Sequence, residues 1–190
     1  MKLISACFIA FATYSRIPVP QTEWSENNMK YSFCFFPLIG AVIGGALLVT
    51  QAACDLLGFG RTFFAAVAAV LPAVLTGGIH MDGFCDTSDA LASCQPMERK
   101  LEILKDSNVG AFAVIKLCLF YLVYFGALTQ CSPQALWVVA AGFVLSRALS
   151  GFAVIRFRPA RKNGMAATFR DAAHHRVVTA VMAVYAAAAA

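Results

Sequence analysis

Four apolar runs divide the chain, at residues 33–54, 62–79, 109–129 and 134–155. Each comes close to the roughly 20 residues that a helix needs to cross a hydrocarbon core. A fifth run opens near Val177 and has not closed when the chain ends in alanines, so a continuation past residue 190 is expected. The runs are continuous rather than alternating, which argues against barrel strands and for helices that are apolar all round. The N-terminal stretch "LISACFIAFATY" is shorter, and no small-residue cleavage pattern follows it. It reads as an interfacial helix retained in the mature chain, with "SRIPVP" as a structured turn behind it. Between the second and third runs, "PMERKLEILKD" puts Met97, Leu101 and Leu104 on one helical face, which predicts an amphipathic helix lying along the membrane surface. The expected fold is all-α: one polytopic membrane domain over 1–190, a bundle of about five or more transmembrane helices.

Composition agrees, with 60% hydrophobic and 13% charged residues. The charge pattern adds sidedness. Lys2, Arg16 and Lys30 precede the first run; Arg99, Lys100 and Lys105 separate the second from the third; Arg156, Arg158, Arg161, Lys162, Arg170 and Arg176 follow the fourth. The opposite connections, "DLLGFGR" and "QCSPQ", hold a single Arg. The positive-inside rule then sets the N-terminus in the cytoplasm, with the stretch around residues 77–91 facing the same side. The net charge of +5 is too small an excess to indicate nucleic acid as a partner. Seven cysteines without a C-x-x-C pair, several inside apolar runs, indicate neither a disulfide framework nor a thiolate metal site. Gly40 and Gly44 form a G-x-x-x-G face open to another helix, of this chain or of a second copy in a homo-oligomer.

The chemistry gathers in "GGIHMDGFCDTSDAL", residues 77–91. Asp82, Asp86 and Asp89, spaced i, i+4, i+7, fall within about 60° of one helical face, and the ends of the row stand about 10 Å apart. Two divalent ions, or one with a bend at Gly83, fit such a row, and oxygen-only ligands suit Mg²⁺ or Mn²⁺. The bland alternative is a turn at Asp82-Gly83 followed by Asp86 as a helix cap and Asp89 as its first-turn acid. His80 reads as a hydrogen-bonded interfacial residue or a proton acceptor. In "KDSNVG", Lys105, Asp106, Ser107 and Asn108 either end the surface helix with ordinary turn chemistry or return toward the aspartates to meet substrate. Lys116 lies close enough to the third run's cytoplasmic start to snorkel. Arg147, about 13 Å inside the fourth run, is by its depth either a functional residue or a structural partner of backbone carbonyls or another helix. Arg156, Arg158, Arg161 and Lys162 make a basic patch for lipid headgroups or a substrate phosphate. Carboxylate-held metal opposed by Arg and Lys is how proteins neutralise a transferring phosphoryl group. No P-loop, G-x-S-x-G or H-E-x-x-H is present.

In order along the chain, "SRIPVP", "FFPLIGAVIGG", "LTGGIHMDGFCDTSDAL", "LEILKDSNVGAFAV", "LSRAL" and "ARKNGMAATF" resemble the cobalamin synthase family, the adenosylcobinamide-GDP ribazoletransferases. That resemblance implies transfer of the adenosylcobinamide phosphate moiety from adenosylcobinamide-GDP to alpha-ribazole or its 5'-phosphate, with release of GMP and dependence on Mg²⁺. It implies Asp82, Asp86 and Asp89 as metal ligands, Lys105 and Arg147 as neutralising cations, and Asp106 or His80 at the nucleophile. Two other readings stand beside it. A CDP-alcohol phosphotransferase shares a D-G-x-x-D helix but expects an Ala-Arg pair that "DGFCDTSDA" lacks, and a cation transporter expects its acids within the spans.

Overall fold

The computed structural model describes residues 2–106, 108–160 and 164–190, and these are all-helical, with no strand among them. In chain order the helices are α1 (Lys2–Tyr14), α2 (Glu26–Met29), a 3₁₀ turn at Ser32–Phe35, α3 (Phe36–Leu57), α4 (Arg61–Thr76) and α5 (Ile79–Ala92). After them come α6 (Met97–Ile103), α7 (Ala111–Gln130), α8 (Ala135–Arg156), α9 (Met165–Ala172) and α10 (His175–Ala189). Three described segments are long and apolar enough to span a membrane, Glu26–Leu57, Ala111–Gln130 and Ala135–Arg156. Their exposed surface is apolar: Val123 of α7 is 72% exposed and Val138 of α8 74%. Water would penalise that surface and lipid does not, so the architecture is that of a membrane helical bundle.

The run expected to span over 62–79 does not do so as one rod. α4 stops at Thr76, about 24 Å long at 1.5 Å per residue, and α5 leaves it at 94°. The pair is a broken span or a re-entrant loop, which brings the candidate spans among the described residues to four at most, short of the five or more expected. The last apolar helix, α10, falls below spanning length within the described residues. The surface helix expected over 96–106 is the seven-residue α6, none of whose residues is buried.

The helices gather into two compact units, Met1–Ala53 with Ser132–Ala190, and Cys54–Cys131. In the first unit, Tyr14, Phe33, Phe36 and Phe169 pack edge and face, with Tyr14 and Phe36 centroids 4.7 Å apart. α3 buries Ile39, Ile43 and Leu47, one turn apart on one side. The Gly40/Gly44 face is met within the chain by α8: a methyl on Gly44 would stand 2.8 Å from the Ala140 carbonyl oxygen, and one on Gly40 would strike the backbone of Phe143. In lipid, where apolar burial drives little, such close backbone approach is a main source of helix association. α8 also packs along α10, where Gly151 leaves room for Met182. In the second unit α4 and α5 both pack on α7, and α4 buries Phe64, Ala65, Ala68 and Ala69.

Candidate functional site

The second unit places the acidic stretch by backbone chemistry before any side chain acts. Gly77 (φ +66°) and Gly78 (φ +81°) occupy the left-handed region in succession. Only glycine enters that region at low cost, so the pair ends α4 and turns the chain sharply into α5. The Gly78 amide closes the α4 end by donating to the Ala73 carbonyl at 2.9 Å. Pro72, inside α4, supplies no amide hydrogen, while its carbonyl accepts from the Thr76 hydroxyl at 2.7 Å.

α5 then runs unbroken from Ile79 to Ala92, through Gly83. Hence the bend considered at Gly83 lies instead at Gly77-Gly78. The turn-and-cap alternative fails as well, because Asp82 is a first-turn acid of α5, and Asp86 and Asp89 are interior to it. Asp82 is exposed, while His80, Asp86 and Asp89 are half-buried.

Asp89 has a task that spacing alone does not disclose. Its Oδ2 accepts from the Gly110 amide at 2.6 Å and its Oδ1 from the Ala113 amide at 2.8 Å. The carboxylate thus caps the N-terminus of α7, where unpaired amides and the positive end of the helix dipole converge. Gly110 makes the approach possible, since a methyl there would lie 2.7 Å from Asp89 Oδ1. One turn further along α7, Lys116 Nζ donates to the Ser88 carbonyl at 3.4 Å, which sets a cation against the acidic helix. Spacing along the chain assigned Lys116 a depth but no neighbour; a charged residue seven positions into an apolar run was the available signal.

The Asp89–Gly110 bond also brings the end of the "KDSNVG" loop to α5, as one of its two readings required. Lys105, Asp106 and Asn108 are exposed there. Asp106 Oδ1 accepts from the Asn108 amide at 3.0 Å and from its side-chain Nδ2 at 2.7 Å. These bonds favour the charged form and hold the Asp106 carboxyl below the usual aspartate range. Arg147, half-buried in α8, and Arg156, exposed at its last position, belong to the other unit. Ser107, Arg161 and Lys162 lie outside the described residues.

Among the described residues no three His, Cys, Asp or Glu side chains converge on a point where one ion would bind. The donor set on α5 nevertheless fits a hard divalent ion held lightly. Asp82 and Asp86 offer two carboxylates one turn apart, and Mg²⁺ is ordinarily bound by one or two carboxylates, its own waters and substrate phosphates. Asp89 already has one bond from an amide on each of its oxygens.

Comparison with known proteins draws on nearly the whole length. A family model described as cobalamin-5-phosphate synthase matches residues 6–190. An adenosylcobinamide-GDP ribazoletransferase of Lachnoclostridium phytofermentans is 49% identical over 185 residues, covering 97% of this chain and 71% of the relative. Proteins of the same name from Clostridium perfringens strain 13 and Desulfitobacterium hafniense are 33% and 35% identical, each over 90% of this chain and 69% of the relative. No solved structure matches.

Proposed function

We propose, since this chain belongs to the cobalamin-5-phosphate synthase family, that it is an adenosylcobinamide-GDP ribazoletransferase working in nucleotide-loop assembly at a membrane. A hydroxyl of alpha-ribazole, or of its 5'-phosphate, attacks the phosphorus nearest the corrinoid. The P–O bond to GMP breaks, GMP leaves, and the hydroxyl proton passes to the protein. The observation that carries this reading is the 49% identity to a protein of that name across 97% of the chain; the carboxylate face of α5 supplies matching chemistry.

Asp82 and Asp86 are the residues we assign to Mg²⁺, which when bound neutralises the diphosphate and the departing phosphate. Asp89 fixes α7 against α5 and so holds the Asp82/Asp86 face at the loop that carries Lys105. Lys105 and Lys116 add positive charge on the α5–α7 side, and Arg147 serves as an anion contact from its own unit. Asp106, kept ionised by Asn108, is a weak proton acceptor at neutral pH and a good orienting acceptor for the attacking hydroxyl. His80, half-buried in the first turn of α5, is then the residue that takes the proton.

The Lys and Arg distribution supports an N-terminus and an α5 face on the cytoplasmic side of the inner membrane. Cys94, exposed just beyond α5, tests this. A membrane-impermeant maleimide should label it in inverted vesicles and not in intact spheroplasts; the opposite pattern would reverse the orientation. The activity itself is tested by GMP release from adenosylcobinamide-GDP. Release should require alpha-ribazole or its 5'-phosphate and stop with chelator. No release under any of these conditions, or ion flux in proteoliposomes without substrate, would point away from a transferase.

A further inference from the structure

The first turn of α10 carries basic side chains where acids would favour the helix dipole. His175 and Arg176 open it, no acidic residue lies in that turn, and no side chain caps the end. Positive side chains at that end oppose the helix dipole unless an anion sits among them. Arg156, the last residue of α8, borders the same place. Between it and His175, Arg176 and Thr179 lies a cavity of about 430 Å³, with Ile155 and Ala180 among its apolar lining residues. Its volume falls among small-ligand sites, roughly 300–1,000 Å³.

The charges of this cavity lack counter-charges within the described residues. Neither Arg156 nor Arg176 takes part in the ion pairs Arg99–Glu102 and Arg170–Asp171. Asp171, the nearest acid in sequence, already faces Arg170. His175 Nε2 donates to the Arg170 carbonyl at 2.8 Å, which fixes the ring and leaves Nδ1 as its second polar atom. Two guanidinium groups, an imidazole and a hydroxyl beside apolar wall suit an anion with tetrahedral oxygens and an organic part. Arginine forks match phosphate oxygens in pairs.

We propose that this cavity binds a phosphate ester: Arg156 and Arg176 grip the phosphate, Thr179 donates its hydroxyl, and Ile155 and Ala180 take the organic part. The same chemistry is offered by an anionic phospholipid headgroup and by the 5'-phosphate of the acceptor. The acceptor source rests on the transferase reading; the headgroup source does not.

The wild-type protein decides between them when reconstituted in phosphatidylcholine nanodiscs and labelled with phenylglyoxal, with modification of each arginine read by peptide mass spectrometry. The probes are inorganic phosphate, alpha-ribazole 5'-phosphate, and nanodiscs carrying phosphatidylglycerol, against unphosphorylated alpha-ribazole and chloride at matched ionic strength. A probe at ten times its Kd should slow labelling of Arg156 and Arg176 together by about tenfold, because the free fraction falls in that proportion. Arg158, exposed beyond α8 and not lining the cavity, should keep its rate. Protection by phosphatidylglycerol alone identifies a headgroup, and protection by the phosphorylated acceptor alone identifies substrate. Equal rates in every condition, protection of one arginine without the other, or equal slowing of Arg158 would overturn the proposal. GMP release is scored separately, so a failed transferase assay leaves the protection result interpretable.

Discussion

Replacing Asp89 by alanine separates a ligand from a cap. The substitution strips α7 of both acceptors on its first turn, the bonds of 2.6 and 2.8 Å to the Gly110 and Ala113 amides. Hydrogen bonds to a charged group contribute roughly 1.5–3 kcal/mol each and loss of an N-cap costs about 0.5–2. At a half-buried site, about 2–3 kcal/mol is expected for the pair. At roughly 2–4 °C per kcal/mol for a chain of this size, the apparent melting midpoint in detergent should fall by about 5–10 °C. Asp89→Asn keeps one acceptor and should lose about half as much. Asp82→Asn, at an exposed position, should leave the midpoint near wild type while abolishing GMP release. Added Mg²⁺ supplies the second measurement, since an ion that binds only the folded state raises the midpoint. That rise should persist in Asp89→Asn and vanish in Asp82→Asn and Asp86→Asn. An Asp89→Ala protein with a wild-type midpoint and no response to Mg²⁺ would refute the cap and return Asp89 to the metal.

Gly40→Ala and Gly44→Ala should each lower the midpoint by the equivalent of about 1–3 kcal/mol of overpacking, because the new methyl meets the α8 backbone. Gly45→Ala, with nothing within 4 Å, should not; equal effects at all three would deny the α3–α8 contact. Gly78→Ala meets open space, so its cost comes from φ alone, about 1–2 kcal/mol. It should also reduce GMP release by tilting α5, and full activity with an unchanged midpoint would show that the bend does not depend on glycine. For Asp106, whose folded-state pKa is lowered, the contribution to stability is complete above the ordinary value of about 4 and fades as pH falls through the lowered one. Relative to the unstructured rate at the same pH, hydrogen exchange at the Asn108 amide should therefore stay slow down to about pH 4 and accelerate below it. Asn108→Ala should shift that acceleration to higher pH at the neighbouring amides; a profile that does not move would remove Asn108 as the cause.

The sequence by itself determined the helical membrane class, the approximate extent of α3, α7 and α8, and which stretch bears the carboxylates. Each of those follows from local quantities: length of apolar run, spacing on a 3.6-residue period, and the order of motifs along the chain. For the loop of Lys105 it left two readings, ordinary turn chemistry or a return toward the acids. The tertiary structure decided the rest. Whether residues 62–92 form one rod or two depends on two consecutive positive φ angles, and glycine permits that conformation without requiring it. The role of Asp89 depends on amides 21 and 24 residues away, a partnership that a helical period cannot express. The partner of the Gly40/Gly44 face and the cationic cavity between α8 and α10 are likewise made by segments distant in sequence. Periodicity reports which side of a helix is special; only packing reports what stands opposite it.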